Sequence, residues 1–419
     1  MMKVKDSGVS YIGNIPISWY TKKIKYVAVE CSENGLMNPK ESQYIGLENI
    51  VGYSNRIIVT NTEYELSIQK KCYKDNILFG KLRPYLSKVV IAPYDGFCTG
   101  EFLELTKYKG DIRFLRYSLL NANLIDTINM STYGAKMPRA NSEFIMNCYI
   151  AYPTYNEQKI ISDFLDTKCE EIEALSMDIQ AEIDTLEEYK RSVITEKVTK
   201  GLNTDVEMKD SGIEWVGKCP AHWQFLKGKY IFSLRNDKGN MIELQLLSPT
   251  QKFGVIPQSL FEKITTNTTV KVKESTDLSQ FKTIHKGDFC ISLRSFQGGF
   301  EYCTYEGVVS PAYQVFYPVT EICGNYYKYL FKNQSFIKKM NSYTISLRDG
   351  KNIAFADFGN TYLPIPPMNE QERISAFLNE KCVEIDSIIE TKKEQLKVLD
   401  EYKKAIIYEY VTGKKEVSV

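Results

Sequence analysis

A fifteen-residue stretch occurs twice, and this repetition limits what the chain can fold into more than any other feature. Lys5-Asp6-Ser7-Gly8, then Gly13, then Pro16-Ile17-Ser18-Trp19 returns as Lys209-Asp210-Ser211-Gly212, Gly217 and Pro220-Ala221-His222-Trp223. A longer echo follows each copy. Asn156-Glu157-Gln158-Lys159-Ile160-Ile161-Ser162 reappears as Asn369-Glu370-Gln371-Glu372-Arg373-Ile374-Ser375, and this match runs without a gap to Val198-Thr199 and Val411-Thr412. The period, roughly 210 residues, is far above the 20–50 of solenoids and propellers. The chain is therefore a duplicated two-part module, which suits a target that also comes in two parts.

The second part of each module reads as one long helix. Apolar residues fall at Leu165, Ile172, Ile179, Leu186 and Val193, with Ile161, Leu175 and Ile183 widening the stripe. The second copy beats at Leu378, Ile385, Leu399 and Ile406, with Lys392 breaking one step and Ile388, Ile389 and Leu396 filling in. Heptads of this length predict helices that pack along another helix. Asn156 and Asn369 are the expected N-caps, and Gly201 and Gly413 stand where a left-handed residue would end each helix. About 40 residues at ~1.5 Å rise gives each a length of ~60 Å. Antiparallel pairing would place the globular halves at opposite ends of a spacer, related by a pseudo-twofold axis.

The first part of each module mixes strand and helix signals. Strand-like runs include 43–47, 76–79 and 89–91 in the first copy, and 244–248, 289–293 and 312–316 in the second; helical spacing covers 112–128 and 326–340. The expected fold is mixed α/β (α+β), with two globular domains joined by two long antiparallel coiled-coil helices. The expected boundaries are 1–155 and 202–368 for the domains, 156–201 and 369–414 for the helices, and 415–419 for a tail. No apolar run reaches the roughly 18 residues of a membrane span and the N-terminus lacks a signal peptide's apolar core, so a cytoplasmic protein is expected. The ten cysteines are scattered without a CxxC pair and read as buried thiols. Net charge is only +1, yet 156–200 holds twelve acidic against six basic residues and 369–413 ten against seven. The remainder is thus about +10, a hint of a polyanionic partner.

Catalytic signatures are missing. The two histidines, His222 and His285, have no partner pattern, and Ser18 stands where the repeat would place His222. There is no HExxH, GxSxG or Rossmann fingerprint. Gly212 to Cys219 approaches a Walker A loop but ends in cysteine instead of the magnesium-binding hydroxyl, and its twin lacks the lysine; a turn is the better reading. Pro93-Tyr94-Asp95 with Glu101 echoes a nuclease carboxylate pair without the following lysine. The expectation is a non-catalytic chain with no metal site.

What remains are basic and polar loops. Lys81, Arg83 and Lys88 surround a proline turn, and Lys136, Arg139 and Asn141 form a second loop. Gln251 and Lys252 follow a strand in the second half, where Arg294 with Gln297 and Arg348 with Lys351 occupy the analogous loops. Arg, Gln and Asn can make bidentate contacts to guanine and adenine edges, while Lys mostly meets phosphate. These twelve residues are the candidate DNA-binding set.

The duplicated Lys-Asp-Ser-Gly…Gly…Pro-x-x-Trp heads, with Pro153…Asn156-Glu157-Gln158 and Pro364-Ile365-Pro366-Pro367-Met368-Asn369-Glu370-Gln371, resemble the specificity subunit of type I restriction-modification systems over essentially the whole chain. The resemblance implies two target-recognition domains, each reading half of an interrupted DNA sequence. It also implies two modification subunits that methylate adenine, and restriction subunits that translocate and cleave DNA. Cofactors would belong to those partners: S-adenosylmethionine, ATP and magnesium, none held by this chain. A specificity chain serving a fused methyltransferase-nuclease, a coiled-coil scaffold that binds proteins only and, third, a cryptic nuclease are the alternatives.

Overall fold

The computed structural model describes residues 3–58, 65–134, 136–239, 244–265, 280–292, 299–343 and 353–417. The chain divides into two units, one made of Met1–Ala181 with Lys392–Val419 and the other of Glu182–Thr391. The first unit is thus closed by the far end of the sequence. Among the described residues no helix is long and apolar enough to cross a membrane.

The duplication extends into the sheets. In the first unit, strands Val29–Cys31, Phe102–Thr106, Ile77–Gly80 and Val89–Ile91 lie side by side in that order, all antiparallel. In the second, Phe232–Arg235, Gln314–Pro318, Phe289–Ile291 and Phe300–Tyr302 repeat the order and the sense. Registers also match, pairing Ile77 with Leu105 in one unit and Phe289 with Phe316 in the other. The interiors differ: where the first unit has Ala28, Ile77 and Leu105, the second has Phe232, Phe289 and Phe316 at the centre of an aromatic core. Phe289 and Phe316 stack at 5.4 Å, with Phe232 edge-on to both at 5.5 and 5.3 Å. A shared backbone frame filled with different volumes explains why the repeat is invisible in the middle of each half.

The two continuous helical stretches read from the sequence are each two helices. Ile112–Leu119 and Ala122–Met130 are separated by Asn121, and Gly324–Leu330 and Gln334–Ser342 by Asn333. Each asparagine side chain accepts a backbone N–H of the following helix, which caps a new helix instead of continuing the old one. The described cysteines are all free thiols, most of them buried.

The long helices run Tyr155–Lys200 and Met368–Val411. Within the first unit, Ile161, Leu165, Cys169 and Ile172 from the start of one share a core with Ile406, Ile407 and Val411 from the end of the other. Phe164 meets Tyr410 at 4.4 Å, and the nearly buried Lys403 ammonium pairs with Glu173 at 2.6 Å. Within the second unit, Val193, Ile194 and Val198 from the end of the first helix share a core with Ile374, Leu378 and Cys382 from the start of the second, beside a 2.6 Å Lys190–Asp386 pair. Start against end in both units is the antiparallel pairing that the heptads predict. Leu175 and Ile388 do not widen the stripe; both are exposed.

The N-cap expectation is corrected. The first helix begins one residue before Asn156, and Thr154 caps it: the Glu157 carboxylate accepts from Thr154 N at 2.8 Å, while Glu157 N donates to Thr154 Oγ1 at 3.4 Å. This is a capping box, and two reciprocal bonds outcompete a single asparagine cap. Asn369 likewise lies inside the second helix.

The repeated motifs form a clasp. Lys5 Nζ and Lys209 Nζ each donate to a carbonyl of the neighbouring Pro-x-x-Trp turn, Ile17 O and Trp223 O. Trp19 Nε1 donates to Glu157 at 3.0 Å and Trp223 Nε1 to Glu370 at 2.9 Å. Burial alone would raise the Glu157 carboxyl, but the bonds from Thr154 and Trp19 outweigh it and hold the group below the usual range. Gly413, at φ +66°, ends the second helix against Trp19 and Pro16, where an added Cβ would lie 2.5 Å from Pro16 Cδ. Gly201, at φ +75°, ends the first helix against Trp223. Each tryptophan thus joins its domain to the start of one helix and the end of the other. Gln158 and Gln371 reinforce the joint, donating to Pro153 O and Pro366 O and accepting from Asp111 N and Cys323 N.

Replacing Glu370 by alanine removes the acceptor of the buried Trp223 N–H and the 2.7 Å contact to His222. A buried donor left unpaired costs about 1–3 kcal/mol. Denaturant unfolding should show that loss, and in Trp223→Phe, which lacks the donor, the further removal of Glu370 should cost only what the exposed His222 contact contributes.

Candidate nucleic-acid interface

The two basic loops of the first unit are one surface, although some fifty residues separate them in sequence. Strand Ile77–Gly80 leads into Lys81, whose N–H donates to Glu101 O at 2.9 Å and whose carbonyl accepts from Ala140 N at 2.9 Å. Arg83 N donates to Pro138 O at 2.7 Å, and Arg139 exchanges two backbone bonds with Tyr133. The short 3-10 turn Pro84–Leu86 is flanked by Arg83 and Ser87, both at φ +51°. Left-handed backbone is unfavourable for residues with a Cβ and is held here by bonds on both sides. Lys81, Arg83, Lys136 and Arg139 are thereby brought together, with exposed Tyr85, Tyr133 and Met137 among them.

The side chains differ in what they can offer. Burial holds the Lys81 ammonium below the usual lysine range, nearby Lys70 adds to this, and Glu101 acts the other way. The Arg139 guanidinium is ion-paired with Glu101, so a ligand must compete for it. Lys136 is exposed. Lys88 is committed elsewhere: its ammonium donates to Leu47 O at 2.6 Å, and burial lowers its pKa. Asn141 caps the helix Ser142–Asn147, its side chain accepting from Glu143 N at 2.7 Å. Each of these two thus already has an intramolecular partner.

In the second unit, Gln251 and Lys252 sit exposed at the turn between strands Leu247–Thr250 and Gly254–Pro257. The Lys252 ammonium lies 3.7 Å from Glu390. Arg294, Gln297, Arg348 and Lys351 lie outside the described residues. Their places in the order of elements, after strand Phe289–Ile291 and before helix Phe355–Asn360, match those of the two first-unit loops.

The stretches that approach catalytic motifs have structural partners. The Walker-like stretch is a turn in which Ser211 N donates to Gly217 O and Gly212 N to the Asp210 carboxylate; Ser7, Gly13, Gly8 and Asp6 repeat both bonds. Asp95 accepts from Lys74 N while Glu101 pairs with Arg139, so the two carboxylates have separate partners. Among the described residues no group of three or more His, Cys, Asp or Glu could hold a metal ion. The sequence reading missed Tyr85, Tyr133 and Met137, whose signal was apolar and aromatic residues interleaved with cations beside a proline.

The chain is similar to known proteins over nearly its whole length. The family model described as the type I restriction modification DNA specificity domain matches residues 14–185 and again 220–398. A putative type I restriction enzyme MjaX specificity subunit of Methanocaldococcus jannaschii is 22% identical, with 96% of this chain aligned to 95% of that one. The MjaVIII specificity subunit of the same organism is 24% identical over 68% of this chain and 67% of its own. Among solved structures, a chain from work on complex assembly and conformational transition of the type I R-M system superposes with a TM-score of 0.68 at 14% identity, covering 96% of this chain and 99% of that one.

Proposed function

From the premise that this chain belongs to the type I restriction modification DNA specificity family, whose domain it carries twice, we propose how it confers sequence specificity. Each unit reads one half of an interrupted duplex target. In the first unit the Lys81–Arg83 and Lys136–Arg139 loops enter the groove, arginine addressing base edges and lysine the phosphates. The chain supplies recognition only. Two modification subunits bearing S-adenosylmethionine methylate adenine at the site it selects, and restriction subunits using ATP and magnesium cleave DNA. No step of methyl transfer or hydrolysis is routed through its own residues.

The observation that carries this reading is the duplicated frame with different loops. Matching strands of two equivalent sheets are followed in sequence by loops that differ, as two different half-sites require. The protein-only scaffold reading leaves the paired basic loops and their exposed aromatics without a role.

Sequencing methylated adenines in cells carrying this chain with its modification subunit should reveal one bipartite motif. Methylation by this chain without that subunit would overturn the division of labour. In the same assay Arg83→Ala should relax one position of one half-site, at about 1–3 kcal/mol, if the guanidinium reads a base. Its left-handed backbone is similarly unfavourable for arginine and alanine, so the side chain is what the variant measures. Lys136→Ala should instead weaken all sequences alike and lower the salt slope by about one unit.

A further inference from the structure

A second basic surface is kept in both units although the loops around it diverge. Lys23-Ile24-Lys25-Tyr26 and Lys227-Gly228-Lys229-Tyr230 occupy the same place, 204 residues apart, each starting four residues after a clasp tryptophan. Each begins at the end of one strand of a two-stranded antiparallel ribbon, Tyr20–Lys23 with Tyr149–Tyr152 and Gln224–Lys227 with Tyr362–Ile365. The same cation–ring pairs recur across it. Lys23 lies over Tyr149 at 5.4 Å and Lys227 over Tyr362 at 5.5 Å; Lys25 and Lys229 each lie 5.4 Å from the ring of the tyrosine that follows.

These groups face solvent. Tyr26 is 74% and Tyr230 58% exposed, and Lys25 and Lys229 are exposed with them. No aspartate or glutamate occurs in 17–28 or 144–154, nor in 221–235 or 358–369, so both strands of both ribbons lack acidic residues. Exposed tyrosine and lysine maintained in register serve no core, since cation–π pairing at an exposed site contributes only about 0.5–1 kcal/mol. The acidic residues that immediately precede 144–154 and 358–369, Glu143 and Asp357, lie on the helices packed on the two turns and not on the strands. Lysine and tyrosine are also among the side chains that contact phosphate without reading bases.

In the first unit the ribbon adjoins a reading loop, and in the second the matching helix packs on the matching turn. In the first unit, helix Ser142–Asn147 starts where the Arg139 loop ends and packs on the turn Ile24–Tyr26, with Lys23 Nζ 3.5 Å from Asn147 Oδ1. In the second, helix Phe355–Asn360 packs on Gly228–Ile231, and Gly228 N donates to Thr361 O at 2.9 Å. We propose that the Lys-x-Lys-Tyr ribbon of each unit grips the DNA phosphate backbone beside the half-site read by that unit's own loops, independently of sequence. Two half-sites differ in bases but share one backbone chemistry, which accounts for constant ribbons beside variable loops. The inference rests on the DNA-reading function proposed above.

The test uses the chain assembled with its modification subunit, comparing wild type with the double variant Lys25→Gln, Lys229→Gln on the cognate duplex and on unrelated DNA across a salt series. The salt slope should fall by about two units on both DNAs, with about tenfold weaker binding to each near physiological salt, while the methylated motif stays the same. Lys23→Gln with Lys227→Gln should act in the same direction. Unchanged affinity and slope, with wild type still selective for its target, would overturn the ribbon proposal alone. Lost assembly with the modification subunit, and undiminished DNA binding by what does assemble, would make the ribbon a protein-docking surface and also overturn it. A wild-type complex without sequence selectivity would remove the DNA-reading premise itself.

Discussion

Exchanging residues 27–147 for the corresponding segment of a related specificity subunit should change one half of the methylated sequence and leave the other half as it was. The structure supports these boundaries. Strands Tyr20–Lys23 and Tyr149–Tyr152 pair with each other from Tyr20↔Tyr152 to Lys23↔Tyr149, so a cut beyond them leaves the ribbon and the Trp19–Glu157 clasp entirely native. The four-stranded sheet and both basic loops of the first unit travel with the insert, because every strand of that sheet lies between Val29 and Thr106. The second unit draws no described residue from the exchanged segment. Methylome sequencing of cells expressing the hybrid with its modification subunit gives the answer directly. A hybrid in which both half-sites change together would refute independent reading. Loss of all methylation in a folded hybrid would refute the claim that the clasp and helices are indifferent to what the loops recognise.

What the sequence made legible follows from which interactions are local. The heptads announced the long helices because a stripe repeated every seven residues is satisfied along its whole length by one kind of neighbour. The clasp was visible as a motif, yet its purpose was not: Trp19 and Glu157 are 138 residues apart, and nothing in either stretch names the other. The Asn156 cap was misread although the better signal, Thr154 three residues before Glu157, was present. The strand runs 76–79 and 89–91 appear as strands Ile77–Gly80 and Val89–Ile91, largely buried and apolar, whereas 43–47 resolves into the two-residue strand Tyr44–Ile45 and the 3-10 turn Leu47–Asn49.

The candidate site was legible as residue types and not as geometry. Lys81, Arg83, Lys136 and Arg139 converge only because loops distant in sequence exchange backbone bonds, and no periodicity records such pairing. Lys88 looked equivalent to its neighbours until the Leu47 carbonyl claimed its ammonium, and Asn141 until it capped a helix. The Lys-x-Lys-Tyr repeat was present in plain sequence. Its interest emerges only once the strands beside it are seen to lack acids and, in the first unit, to lie next to a basic loop.

Truncating the chain after Thr391 should unfold the first unit while leaving the second folded, although every residue of 1–155 would still be present. Ile406, Ile407 and Val411 are nearly inaccessible members of the first unit's core, against Ile161, Leu165 and Ile172. Burying each such side chain stabilises a fold by about 1.5–3 kcal/mol, so the removal of these three costs about 4.5–9 kcal/mol, comparable with the whole 5–15 kcal/mol of a typical domain. The same cut strips Lys403 from Glu173, and Gly413 from Trp19 and Pro16. Hydrogen exchange can separate the units. Amides of strands Ile77–Gly80 and Phe102–Thr106 should lose protection, and those of Phe289–Ile291 and Gln314–Pro318 should keep it. A point variant, Ile407→Asp, should reproduce the loss in the full-length chain, since an unpaired carboxylate at a fully buried site costs several kcal/mol. Adding a peptide of residues 392–419 to the truncated protein should restore protection, because what is missing is a packing partner and not a folding instruction. If the first unit keeps its protection in both the truncated and the Ile407→Asp proteins, the end of the second helix is not part of its core, and the antiparallel pairing inferred from the heptads is wrong in that unit.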